Sequence, residues 1–171
     1  MITQHTQHSS YREKLIEHLF IGDLLKLSWL HHNCSLEIAK PEVDNAGYDI
    51  IAEVPGVVRH IQIKTSIIGG RTASQKVHTK VSEKLSGCVV WIYFDDETLR
   101  LGPFLYFGAE PGMPMPNIKE RKVAKHTKGD SKGVKAERQS LRVLPKGSFK
   151  QLLTIEEVYK QLFNPAPACI A

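Results

Sequence analysis

No stretch of this 171-residue sequence approaches the ~20 apolar residues that cross a bilayer; the longest apolar run is Cys88 to Phe94. The polar start, Met1 to Ser10, contains no apolar signal-peptide segment. Cys169 stands third from last, one place short of a prenylation box. Cysteine is scarce: three residues, far apart and odd in number. That argues against a disulfide framework and for a reducing, cytoplasmic setting. His31-His32-Asn33-Cys34 fits no zinc spacing and meets no second ligand pair, so it reads as a loop with an inert cysteine. Gly69-Gly70 lacks the Gly-Lys-Ser/Thr of a phosphate-binding loop and reads as a flexible connection. There is no internal repeat.

What is present describes one globular domain. Hydrophobic residues make up 42% and charged residues 24%, and the length suffices for a full core. The net charge of +5 is uneven. Lys119 to Lys150 carries eleven Lys/Arg against three acids, a local +8, while the remainder is at −3. Such asymmetry suggests a polyanionic partner, nucleic acid being the commonest. The alternative is a solvated loop whose charge serves solubility.

The pattern breaks the chain into a tail (1–9), a core (10–107), a Pro/Gly-rich and basic extension (108–150) and a terminal helix (154–163). Ser10 with Glu13 forms a capping box. From Tyr11 to about Leu30 the spacing is helical: Ile16, Phe20, Leu24 and Leu27 make a stripe, with Leu15, Leu19 and Leu30 beside it. Glu13 and Glu17 lie at or near that stripe. An inward carboxylate is costly unless it is paired or binds a cation; Glu17 is the candidate, and a salt bridge at the helix edge is the competing account. Leu36 to Lys40 reads as a strand. Ser74 to Leu85 reads as a second helix, from Val77, Val81 and Leu85 at i, i+4, i+8. Cys88 to Phe94 reads as a central strand buried on both faces. The acidic turn Asp95-Asp96-Glu97 leads to a further strand, Leu99 to Phe107, broken at Gly102-Pro103. Lys119 to Lys135 reads as a long loop or poorly formed helix, Gln139 to Leu144 as a short strand. Thr154 to Glu157 is a capping box opening the last helix, with Val158 and Leu162 inward and a loose tail after Pro165.

The most informative stretch is Val43 to Ser66. The turn Asp44-Asn45-Ala46-Gly47 precedes an apolar run, Tyr48 to Val54; Pro55-Gly56 turns the chain; Val57 to Thr65 returns. This is a hairpin signature. Ile61 and Ile63 face one way, and His60, Gln62, Lys64 and Ser66 the other. Asp49 lies thirteen positions before Gln62. An acid, an amide and an amine can therefore converge on one side of a sheet.

The pattern Asp49 … Gln62-Ile63-Lys64, with an acid-bearing helix upstream, resembles the PD-(D/E)XK nuclease superfamily. Gln62 stands where Glu or Asp is commoner, a variant known in some branches. The order α-β-β-β-α-β over the first part of the chain resembles the αβββαβ core of that superfamily. The resemblance implies a restriction-endonuclease-like α/β fold: a mixed central sheet with helices on both faces and a basic C-terminal extension. It also implies a metal-dependent DNA endonuclease. Asp49, Gln62, the Ile63 carbonyl and Glu17 would serve a Mg²⁺ or Mn²⁺ ion, and Lys64 would act at the scissile phosphate. Arg71, Lys76, Lys122, Lys125, Lys128 and Lys132 would bind the phosphate backbone. Two other readings stay open: a DNA-binding protein on the same fold without cleavage, and an interaction module for an acidic protein. The oligomeric state is open too, a homodimer included.

Overall fold

In the computed structural model, residues 8–43, 45–126, 133 and 135–163 are described. Asp44, Lys128, Lys132 and Cys169 lie outside them, as does the loose tail expected after Pro165. The described elements are α1 (Ser9–His31), β1 (Glu37–Ala39), β2 (Ile50–Val54), β3 (Val57–Ile67), β4 (Ser74–His78), a 3₁₀ turn (Thr79–Glu83), β5 (Gly87–Phe94), β6 (Leu101–Gly108), β7 (Val123–Lys125), β8 (Glu137–Pro145), a 3₁₀ turn (Lys146–Ser148), β9 (Lys150–Leu152) and α2 (Ile155–Phe163). The chain is thus an α/β protein. No helix among the described residues is long and apolar enough to cross a membrane.

The central sheet has the order β1-β2-β3-β5-β6-β9. It is mixed: β3 and β5 run parallel, and every other pair is antiparallel. Every residue of β5 is buried, as its continuous apolar sequence demands. Its alternate side chains feed two separate cores. Cys88, Val90, Ile92 and Phe94 join Ile50, Ile61, Phe104 and Tyr106 on one face, under Ile16, Phe20 and Leu24 of α1 and Val158 and Leu162 of α2. Burial pushes the Cys88 thiol up to about 12, so it packs as core. Val89, Trp91 and Tyr93 point the other way, toward Val77, Val81, Met115, Leu144 and Phe149.

This second face corrects two expectations. Ser74 to Leu85 is not a helix, and helices do not cover both faces. Both helices lie on the first face; the second is covered by a three-stranded sheet, β4-β8-β7, and the 3₁₀ turn. Val77 and Val81 are buried as the helical spacing required, but Leu85 is exposed. A strand followed by a tight turn also buries both valines, and pairing with β8 decides between the two. The turn starts where the His78 side chain accepts the Lys80 N–H. It packs so closely on β5 that a Cβ on Gly87 would sit 2.1 Å from the Val81 carbonyl oxygen.

Smaller corrections follow. The Ser10/Glu13 capping box does not form: α1 begins at Ser9, His8 makes no side-chain cap, and Glu13 is exposed. Leu30 is exposed. Part of Lys119 to Lys135 is strand β7, and Gly102-Pro103 lies inside β6. At Thr154 the Oγ1 accepts the Glu157 N–H as expected, while the Glu157 carboxylate accepts the N–H of Leu153, one residue before the cap residue.

A residue that the patterns passed over joins the sheet to the terminal helix. Arg59 on β3 is fully buried. Its Nε donates to the Leu162 carbonyl at 2.5 Å, Nη1 to Ala109 O at 2.9 Å and Nη2 to Gln161 O at 3.2 Å. The guanidinium thereby satisfies carbonyls at the C-terminus of α2, where the helix dipole favours a cation. Arg59→Met keeps most of the side-chain stem but leaves those carbonyls without their donor. Urea unfolding is expected to show a loss of about 3 kcal/mol; a loss below ~1 kcal/mol would show the contacts to be incidental.

Candidate active site

β2 begins at Ile50, which pairs with Ile61. β3 runs on to Ile67 with β5 on one side. On the other side no described strand covers residues 62–67, so among the described residues this edge of β3 is open. An open edge leaves backbone groups in need of partners. Asp49, one residue before β2, supplies one: its Oδ2 accepts the Ile63 N–H at 2.6 Å, while its own N–H donates to the Ile61 carbonyl at 2.8 Å. N–H and C=O of one strand residue point to the same side, so the Ile63 carbonyl also faces this edge.

The open edge lines a cleft of about 560 Å³. Its walls include Glu17 from α1, Asp49, Gln62, Ile63 and Lys64 from the hairpin, and Lys76 and His78 from β4. The four side chains expected to act together, and the expected backbone carbonyl, thus border one space. Arg12, Lys14 and Arg138 add positive charge to the lining. Lys14 was not among the expected residues; its place one helical turn before Glu17 is the signal that could have found it. Arg138 belongs to the basic segment Lys119 to Lys150, and β8 brings it here from that distant part of the chain.

Each wall is built by local chemistry. Gln62 and Lys64 share the face of β3 that looks toward the second sheet, as their alternation with Ile61 and Ile63 requires. Gln62 is buried, and its Oε1 accepts the His78 backbone N–H at 3.1 Å, tying β3 to β4. Gly47 has a φ of +78°, and a Cβ there would meet His78 side-chain atoms at 2.9 Å, so the turn before Asp49 presses directly on β4. Only glycine meets both demands at low cost.

Glu17 is the one buried acid of α1. Its Oε2 accepts from Lys14 Nζ at 2.9 Å, and Lys40 Nζ forms an ion pair with Oε1 at 2.6 Å. Burial pushes its carboxyl upward, but Lys40 and Lys14 together outweigh burial and hold it below the usual carboxylate range. The salt-bridge account of Glu17 is therefore the one the geometry displays.

The expected phosphate-binding residues divide. Lys76 lines the cleft and donates to the Lys125 carbonyl at 3.1 Å, across β8. Lys125 on β7 and Lys122 just before it are exposed. Arg71 is exposed in the β3–β4 connection, outside the cleft lining. Lys128 and Lys132 fall outside the described residues. Among the described residues, no three His, Cys, Asp or Glu side chains cluster so as to hold a metal by themselves. The chain matches no protein-family model and no curated protein.

Glu17 makes a pH-dependent contribution whose sign follows from its depressed carboxyl. A group depressed in the folded state stabilises above its unfolded value, near 4.5, and loses that contribution as the pH falls through the folded value. Glu17→Gln should therefore cost about 1–2 kcal/mol at pH 7, and the gap to the parent chain should close in acid. Denaturant melts at pH 7 and pH 3 test this; a constant gap would contradict it.

Proposed function

We propose that the chain is a metal-dependent nuclease of the PD-(D/E)XK type that hydrolyses phosphodiester bonds in DNA. The observation that supports this most is the convergence of Asp49, Gln62, Ile63 and Lys64 on one cleft whose lining also carries Arg12, Lys14, Lys76 and Arg138. The order helix, three antiparallel strands and a parallel central strand agrees with the start of that core. Where the family has a second helix, this chain has β4 and a 3₁₀ turn.

The donor chemistry of the open edge fits a hard divalent ion. Asp49 offers a carboxylate and Ile63 a carbonyl on the same strand edge. A sparse, all-oxygen set suits Mg²⁺ or Mn²⁺, which retain waters and take substrate phosphate oxygens as further ligands. Glu17 does not fit this set, because Lys14 and Lys40 already neutralise it. Such an ion, when bound, supplies charge neutralisation and an acidified water. The protein supplies position. The Ile63 N–H orients the Asp49 carboxylate, so its geometry is set before substrate arrives. The Lys64 ammonium neutralises charge that develops on the phosphate oxygens. Arg12, Lys76 and Arg138 hold the flanking polyanion without reading its sequence.

A second reading has its own observation. The described residues gather no three ligating acids, and Glu17 is engaged, which favours a DNA-binding protein that does not cleave. Purified protein with Mg²⁺ or Mn²⁺ and plasmid DNA separates the two. We expect nicking that EDTA stops. Asp49→Ala should abolish it together with metal binding. Lys64→Ala should abolish it with metal binding retained, since an ammonium has no lone pair to donate. DNA bound but never cut selects the second reading; cutting that survives both substitutions rejects the site.

A further inference from the structure

The orientation of Gln62 carries the reading of the cleft one step further. A carboxamide has one face that accepts and one that donates. The His78 backbone N–H can only donate, so the Gln62 atom that meets it at 3.1 Å is the oxygen. This fixes the amide without reference to any ligand. Gln62 itself lines the cleft, and no hydrogen bond among the described residues engages its Nε2. The oxygen is thus committed to β4, and the NH₂ group is the end left to face the cleft. The cleft lining also carries Lys64, Lys76, Arg12, Lys14 and Arg138, five cationic side chains against three carboxylates, Glu13, Glu17 and Asp49.

We infer that Gln62 is a substrate-binding donor, its amide N–H directed at a non-bridging oxygen of a phosphodiester, and not a metal ligand. The inference rests on the proposed phosphodiester site but is separate from cleavage. It gives the variant residue a physical reason. A carboxylate at position 62 would turn an acceptor and a negative charge toward the phosphate; the amide turns a donor. It also accounts for the sparse donor set around Asp49, because position 62 serves the anion and not the cation.

Two Gln→Glu substitutions in the same cleft make the test. Gln62→Glu and Gln75→Glu add the same charge to the same lining, but the Gln75 amide already donates to Ser66 Oγ at 3.4 Å. Binding of a fluorescein-labelled DNA duplex is measured by anisotropy in EDTA at low salt, with the full chain. Gln62→Glu should weaken binding about tenfold or more, the loss of a charge-assisted hydrogen bond. Gln75→Glu should weaken it about two- to threefold, the effect of charge alone in a solvated cleft. In the parent protein, the Gln62 side-chain amide proton resonances should shift downfield as the duplex is added, a readout that needs no variant. Equal losses in the two variants, unshifted Gln62 amide protons, or no DNA binding by the parent chain would each overturn the inference. Tight, Gln62-dependent binding without cleavage in Mg²⁺ would leave it standing and remove only the nuclease proposal.

Discussion

The arrangement of the cleft depends on one mismatch in strand length. β2 starts opposite Ile61, and β3 continues for six residues beyond that point with one edge covered by no described strand. Buried or half-buried backbone groups cannot be left unpaired cheaply. Asp49 supplies a side-chain acceptor where a strand would have supplied a carbonyl. The carboxylate is thereby positioned by a structural need and remains at the rim of the cleft. Gln62 does the same service one layer away, where its oxygen replaces a strand partner for His78. Two candidate functional residues are thus also the pieces that complete the backbone bonding around an open edge.

The two faces of the sheet are closed by different means, and this places the positive charge. Helices α1 and α2 seal one face, with Arg59 securing the end of α2 from inside. The other face is sealed by a small sheet, two of whose three strands, β7 and β8, come from the basic segment of the chain. Leu144 faces that core, while Arg138 on the same strand reaches the cleft. One element therefore covers apolar surface and supplies cationic surface. The local +8 of Lys119 to Lys150 is accordingly attached, in part, to paired strands beside the cleft.

The hairpin and its polar face were legible in the sequence because β periodicity is strict: Ile61 and Ile63 cannot face the core without turning Gln62 and Lys64 away from it. The buried β5 was legible from seven consecutive apolar residues, and the stripe of α1 from four at helical spacing. Of the second sheet only β8 was legible, as the strand Gln139 to Leu144. β4 reads Ser-Gln-Lys-Val-His and β7 Val-Ala-Lys, too short or too polar to carry a period of two, and their strand character comes from pairing with β8. Val77 and Val81 suit a helix and a strand-plus-turn equally, so spacing alone could not choose. Arg59 was missed because a lone arginine on a strand suggests solvent; only the end of a helix about a hundred residues later gives its guanidinium a buried role.

The central claim is that the open edge of β3, between the Asp49 carboxylate and the Ile63 carbonyl, is a divalent-cation position. A crystal of the protein soaked in Mn²⁺, with anomalous data, tests this most directly. The account predicts an anomalous peak within coordination distance of an Asp49 carboxylate oxygen and the Ile63 carbonyl oxygen, with Gln62 Oε1 still on the His78 N–H. A cleft without a peak, or Mn²⁺ bound by Glu17 after it has released Lys14 and Lys40, would contradict it.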